Sequence, residues 1–132
     1  FRSLGDLFVV RNAGNIVDYT VLASVEYAVD HLRTPLVLVL GHSDCGAVTA
    51  VARGEAAGGH LPCLARAIQP AVTKGQTAGG DVMTSAIATN ARRAARQLVD
   101  RSSVIAARTR KRSTRVLPAV YDLGSGRVAV YD

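Results

Sequence analysis

A histidine and a cysteine lie three residues apart, as His42 and Cys45 in the segment Gly-His-Ser-Asp-Cys-Gly. Imidazole nitrogen and thiolate sulfur are both common zinc ligands, and at this spacing they can face the same way across one turn. A zinc site needs three or four protein ligands. The spacing alone therefore leaves two interpretations open, a metal site and a polar turn with a buried thiol.

The residues around this pair predict how it is positioned. Leu36–Leu40 is an uninterrupted apolar run, which is typical of a strand buried on both faces. Gly41 ends the run, and Ala47–Ala52 is predicted to be helical. A strand, a turn and a helix place His42 and Cys45 just past the carboxyl end of the strand, where open α/β sheets bind their ligands.

The rest of the chain alternates between strand and helix patterns. Further strands are predicted at Leu7–Arg11, Val116–Tyr121 and Arg127–Tyr131, and further helices at Thr20–Arg33, Cys63–Val72 (interrupted by Pro70), Val82–Asp100 and Ser102–Arg110. Pro118 indicates a bulge or an edge strand. Together they predict one α/β domain over residues 1–132, with a mainly parallel central sheet flanked by helices and a C-terminal antiparallel strand.

Composition excludes several classes of protein. Apolar residues make up 48% of the 132 residues, which is enough for a core, and no apolar run approaches the length of a membrane span. Two cysteines are too few for a disulfide scaffold, so we expect a reducing compartment, the cytoplasm. The chain starts at Phe1 in strand-like sequence, so we interpret this start as a cut end and expect any targeting signal to lie outside it.

The net charge of +6 raises the question of nucleic-acid binding. Much of this charge lies in one stretch, which holds a single acid, Asp100, and the basic residues Arg92, Arg93, Arg96, Arg101, Arg108, Arg110, Lys111, Arg112 and Arg115. No aromatic residues are interleaved with these charges, and no nucleic-acid motif is present. We therefore favour a solvated helix face with a basic loop, and expect no nucleic-acid partner.

Four segments resemble the β-class carbonic anhydrases. Gly41–Val48 is similar to the family's zinc-ligand segment, and Gly5–Asn15 to its second strand and the following loop. Ser24–Val29 is similar to its next helix, and Tyr121–Val128 to its C-terminal hairpin. The segments occur in the family's order and cover nearly the whole chain, so the resemblance is specific.

The resemblance implies a zinc-dependent enzyme that reversibly hydrates carbon dioxide to bicarbonate through zinc-bound hydroxide. His42 and Cys45 would be metal ligands, and His42 would bind as a neutral imidazole. A weaker implication concerns the substrate pocket, whose wall would include Arg11, Asn12, Ala13, Gly14 and Gly46. Each assignment has an alternative that stays open. The first four residues could instead form a structural turn, and Gly46 could permit close packing instead of presenting its backbone N–H to the substrate.

One part of the family's pattern is missing. The family takes a further zinc-binding cysteine, and the Asp–Arg pair beside the metal, from a C-x-D-x-R segment, and none occurs here. That segment would lie before Phe1, with the family's N-terminal helices, on a central strand between those predicted at Leu7–Arg11 and Leu36–Leu40. No catalytic residue is therefore assigned. We interpret Cys63 as a small buried hydrophobe or an ordinary thiol.

Two further functions remain as alternatives. One is a scaffold or zinc-binding remnant that kept the fold and lost the catalytic site, and the other is a carbon disulfide or carbonyl sulfide hydrolase on the same fold. The resemblance also implies a homodimer or a dimer of dimers. A sheet without its central strand would expose unpaired edges, which favours association.

Overall fold

The computed structural model describes residues 3–131. A 3₁₀ turn at Ala13–Asn15 is followed, in chain order, by α1 (Tyr19–Asp30), β1 (Leu36–His42), α2 (Gly46–Ala52), α3 (Leu61–Thr77), α4 (Val82–Arg101), α5 (Ser103–Arg110), β2 (Arg115–Tyr121) and β3 (Val128–Val130). The predicted α/β class is confirmed. Within this part of the chain, no helix has an apolar stretch long enough to span a bilayer.

The three strands of the described chain form one sheet in the order β1-β2-β3. β1 and β2 are parallel from the pair Leu36 and Arg115 to the pair His42 and Tyr121. β2 and β3 are antiparallel. The predicted combination of parallel pairing with a C-terminal antiparallel strand is therefore confirmed, and helices α2 to α5 form the connection between the two parallel strands.

The helices cover one face of β1. Val39 belongs to a core cluster with residues of α1, α4 and α5, and Gly41 faces Ile87 of α4. The alternate side chains point the other way, where Leu36, Leu38 and Leu40 are 47%, 40% and 43% exposed. The prediction of a strand buried on both faces is wrong for these residues, because their side chains are exposed.

Among residues 3–131, two apolar clusters form the core, and α4 contributes to both. One joins α1, β1, α4 and α5 and includes Leu22, Val25, Val39, Leu98 and Ile105. The other joins α2, α3 and α4 and includes Cys45, Val48, Ile68, Val72 and Ile87. The second cluster fixes α2, and with it the turn that carries His42, against the rest of the fold.

The segment Leu7–Arg11 forms no strand, contrary to the prediction. The side chains of Leu7, Phe8, Val9 and Val10 are all exposed. A strand needs a neighbour for its backbone hydrogen bonds, and none of the described strands lies beside this segment. The apolar pattern that predicted a strand is therefore not accompanied by strand pairing within residues 3–131.

Two helices differ from their predicted bounds. α1 ends at Asp30, so Leu32 lies outside it and is 50% exposed, while Val25 and Ala28 within the helix are buried. α3 runs through Pro70 without interruption and ends at Thr77, five residues beyond the predicted end at Val72, so Gly75 is helical. Pro70 is exposed, and the burial of the neighbouring helical residues outweighs the hydrogen bond that a proline removes.

Pro118 lies in the middle strand, and its register continues without a bulge, so the predicted edge or bulge is wrong. The Pro118 carbonyl accepts from the Tyr131 backbone N–H at 2.9 Å. The nitrogen and carbonyl of one strand residue point to the same side, so the missing N–H faces β3, which ends at Val130. The ladder with β1 therefore loses no hydrogen bond.

Carboxylate caps begin two of the helices. Asp18 accepts from the Val21 backbone N–H at 2.8 Å, and this hydrogen bond holds the pKa of Asp18 below its usual value. Asp81 accepts from the Thr84 N–H at 2.7 Å, and hydrogen bonds from Thr84 likewise lower the pKa of Asp81. These caps satisfy backbone donors at the starts of α1 and α4.

Candidate metal centre

The turn between β1 and α2 positions both candidate ligands. His42 is the last residue of β1, and Cys45 is the N-cap of α2. The Ser43 backbone N–H donates to the Tyr121 carbonyl at 2.9 Å, and Ser43 Oγ accepts from the Leu123 N–H at 2.9 Å. The turn is therefore held against the end of β2, with both side chains at the carboxyl end of β1.

The imidazole of His42 is exposed, and its Nδ1 lies 2.8 Å from the Ser43 carbonyl oxygen. A carbonyl oxygen can only accept, so this contact requires a proton on Nδ1. In the neutral ring the lone pair is then on Nε2, which is free to bind a metal. The Ser43 carbonyl thus selects the tautomer that a metal ligand needs.

The thiol of Cys45 is free, and the residue is only 5% exposed. It belongs to the cluster with Val48, Ile68 and Ile87, so the core fixes its position. Cys63 differs, because it lies exposed in the first turn of α3 as a free thiol. The interpretation of Cys63 as a buried hydrophobe is wrong, and that of an ordinary thiol fits.

The loop before α1 packs against β1 and α2, the two elements that the His42–Cys45 turn connects. Its 3₁₀ turn contacts β1, α2, α3 and α4. Gly14 is buried with φ of 69°, and a Cβ there would lie 2.5 Å from Ile68 Cδ1 and 3.4 Å from Ala47 Cβ. Gly14 therefore has a structural reason to be glycine, whereas Arg11, Asn12 and Ala13 are exposed.

Gly46, the first residue of α2, has no such reason. A Cβ at this position would meet no atom within 4 Å, and the residue is exposed. Close packing therefore does not explain a glycine here.

Asn90 is a site residue that the sequence analysis missed. It is 4% exposed on α4, and its Nδ2 donates to the Gly14 carbonyl at 2.8 Å and to Asn15 Oδ1 at 3.2 Å. It thereby ties the loop to α4. The available signal was an amide within the small apolar residues that α4 buries, between Ile87 and Ala91.

Replacing Asn90 with alanine should destabilise the protein by about 1–3 kcal/mol, because it leaves the buried Gly14 carbonyl without its donor. Alanine is the better helix former, so a loss cannot come from helix propensity. Urea unfolding measures the change. Arg96→Ala, at an exposed position of α4, is the matched control and should stay within about 0.5 kcal/mol of wild type. Equal stability of the Asn90 variant would contradict this role.

The donor set tests the fit to zinc. His42 Nε2 and the Cys45 thiol are both suitable in kind. Across residues 3–131, however, no group of three or more His, Cys, Asp or Glu side chains is placed to hold a metal ion. The described chain supplies two ligands of the right chemistry and not a complete zinc site.

The fold and this turn define an α/β protein with a candidate two-ligand metal site at the carboxyl edge of its sheet. The family model described as carbonic anhydrase matches residues 2–128. The chain is 37% identical to a carbonic anhydrase of Mycolicibacterium smegmatis, over 96% of this chain and 64% of that protein. It is 36% identical to carbonic anhydrase 2 of Mycobacterium tuberculosis (strain H37Rv), over 99% and 65%.

Comparison with solved structures gives the same family. The β-carbonic anhydrase CafA of Aspergillus fumigatus superposes with a TM-score of 0.83 at 30% identity, covering 98% of this chain and 65% of that one. The β-carbonic anhydrase CcaA gives 0.82 at 27%, covering 98% and 69%. The chain therefore belongs to the β-carbonic anhydrase family, and it spans just under two thirds of the two curated relatives.

Proposed function

We propose that the complete protein is a zinc-dependent carbonic anhydrase that reversibly hydrates carbon dioxide to bicarbonate. The observation that carries this proposal is the β1–α2 turn. In a chain of this family, the turn holds His42 with Nδ1 on the Ser43 carbonyl and Cys45 at the start of α2. Zinc, when bound, lowers the pKa of a coordinated water to about 7, which makes a nucleophile available at neutral pH.

The chain's own residues have three roles in this proposal. His42 Nε2 and Cys45 Sγ bind the metal. The exposed residues Arg11, Asn12 and Ala13, with Gly14, form a wall of the substrate pocket. The backbone N–H of Gly46 faces the substrate, and the open space around this residue supports that role over packing.

A further strand completes the site in this proposal. The resemblance implies a strand between Leu7–Arg11 and β1 that would carry the third ligand and an Asp–Arg pair. The free edge of β1 supports this, since β1 pairs only with β2 among the described strands. The exposed side chains of Leu7–Val10 support it as well, because an added strand would give this segment a ladder partner.

Zinc content and hydration activity test the function. We expect the complete protein encoded by the gene to hold about one zinc per chain and to hydrate carbon dioxide. The 132-residue chain alone should bind zinc weakly, because two ligands leave the coordination incomplete. A complete protein with neither zinc nor activity would favour a remnant scaffold, and activity on carbon disulfide alone would favour the hydrolase.

We also propose a homodimer or a dimer of dimers in the cytoplasm. Association would bury the exposed apolar side chains of Leu36, Leu38 and Leu40. A related β-carbonic anhydrase from Sordaria macrospora is described as tetrameric. Both cysteines are free thiols, which suits a reducing compartment. Light scattering on the complete protein should give the mass of a dimer or tetramer, and a stable monomer would contradict the assembly.

A further inference from the structure

A cleft of about 470 Å³ lies between the end of α1 and α5. We name it the α1–α5 cleft. Its lining includes Asp30, Arg33, Val104, Ala107, Arg108 and Lys111. Three of these side chains are cationic and one is a carboxylate, so the cleft carries two net positive charges. No step of the proposed hydration uses it.

The charges in the cleft are not fully paired. Arg108 Nη2 lies 2.6 Å from Asp30 Oδ1, and this ion pair fixes the guanidinium in the wall of the cleft. Within residues 3–131, the Arg108–Asp30 pair is the ion pair of this cleft, and neither the Arg33 nor the Lys111 side chain forms a hydrogen bond or an ion pair. Two cations therefore face the cleft without an acceptor, and an anion would supply one.

The backbone holds Arg33 at this position. Its φ is 57°, in the left-handed region that few non-glycine residues adopt. The turn is closed by the Thr34 N–H, which donates to the Ala28 carbonyl at 3.1 Å. Arg33 is thereby held beside α5, while Val104 and Ala107 give the cleft an apolar wall.

We propose that the α1–α5 cleft binds a phosphoryl group, with Arg33, Arg108 and Lys111 as donors. The two net positive charges match a phosphate dianion, and guanidinium and ammonium groups are the usual phosphate donors. The apolar wall and a volume of about 470 Å³ also leave room for a compact organic part. The phosphoryl group belongs to inorganic phosphate or to a small metabolite such as a nucleoside monophosphate.

The cleft is separate from the candidate metal centre. Arg33 lies before the first residue of β1, whereas His42 is the last of its seven residues. A strand of this length rises by about 20 Å, so the cleft and the candidate metal centre lie at opposite ends of β1. Phosphoryl binding therefore does not depend on zinc or on hydration, and it can be tested independently of them.

Titration calorimetry at low salt, with inorganic phosphate and adenosine monophosphate as probes, tests the proposal on the complete protein. We expect saturable binding at one site, and the double variant Arg33→Gln/Lys111→Gln should weaken it at least about tenfold. The matched control is Arg110→Gln/Arg112→Gln. It removes the same charge, also includes one left-handed arginine (φ of 56° at Arg112), and changes exposed residues outside the cleft lining.

Each outcome is decisive. Binding of phosphate alone identifies an inorganic ion, tighter binding of the monophosphate identifies an organic ligand, and both support the proposal. Absence of binding overturns it, as do equal losses in the two double variants, which would indicate a diffuse basic surface. If circular dichroism shows that Arg33→Gln disturbs the fold, Lys111→Gln alone, at an exposed residue, should still weaken binding by about threefold or more.

Discussion

Replacing His42 with alanine should reduce both the zinc content and the carbon dioxide hydration of the complete protein to background, a fall of at least about a hundredfold in activity. The substitution removes the Nε2 lone pair that the Ser43 carbonyl leaves free. The fold should be unaffected, because the imidazole is exposed and His42 belongs to neither core cluster. Stopped-flow hydration and elemental analysis of the purified variant measure the two losses.

His60→Ala is the matched control. His60 is also exposed, and as the N-cap of α3 it makes no side-chain capping hydrogen bond. Its zinc content and activity should stay close to those of wild type. Undiminished activity in His42→Ala would remove the basis of the zinc assignment, and equal losses in both variants would point to a general effect of removing a histidine.

Adding one methyl group at Gly75 should destabilise the protein by about 2–3 kcal/mol. In α3, a Cβ at this position would lie 2.7 Å from the Val82 carbonyl oxygen and 3.0 Å from the Ala86 backbone nitrogen. Both atoms are backbone atoms of α4, so no side chain can rotate away, and the two helices must move apart. Urea unfolding of Gly75→Ala measures the loss.

Gly46→Ala provides the comparison, because it makes the same change in another helix. A Cβ at Gly46 would meet no atom within 4 Å. Its stability should be unchanged or higher by up to about 1 kcal/mol, since alanine is the better helix former. If the Gly75 variant were as stable as the Gly46 variant, the close approach of α3 and α4 would not be as described.

The sequence predicted the elements whose patterns are local. The apolar run at Leu36–Leu40, the turn after it and the long amphipathic helix α4 follow from neighbouring residues, and they are present within a few residues of their predicted bounds. The position of His42 and Cys45 at the carboxyl end of β1 follows from the same local pattern. These predictions hold because the alternation of a strand and the periodicity of a helix can each be recognised in a short stretch of sequence.

Other features depend on distant parts of the fold. The strand pattern at Leu7–Arg11 is local, but its ladder would need a neighbour that the described sheet does not provide. The continuation of α3 through Pro70 depends on packing against α4. The donor role of Asn90 toward Gly14 joins residues 76 positions apart, and no short window contains it.

The candidate site shows the same division. The types of the two ligands were visible in the sequence, whereas the tautomer of His42 depends on where the Ser43 carbonyl points after the turn has formed. The burial of Cys45 and the exposure of Cys63 are likewise set by which helices pack over them.

The proline in the middle strand makes growth of the sheet one-sided. Pro118 offers no N–H toward β3, so one hydrogen bond is missing where Pro118 lies beside Tyr131, and β3 has three residues in the part of the chain that the structure describes. The opposite border keeps seven residues of regular backbone. Any strand recruited to this sheet, from the same gene product or from another molecule, should therefore join it on the β1 side.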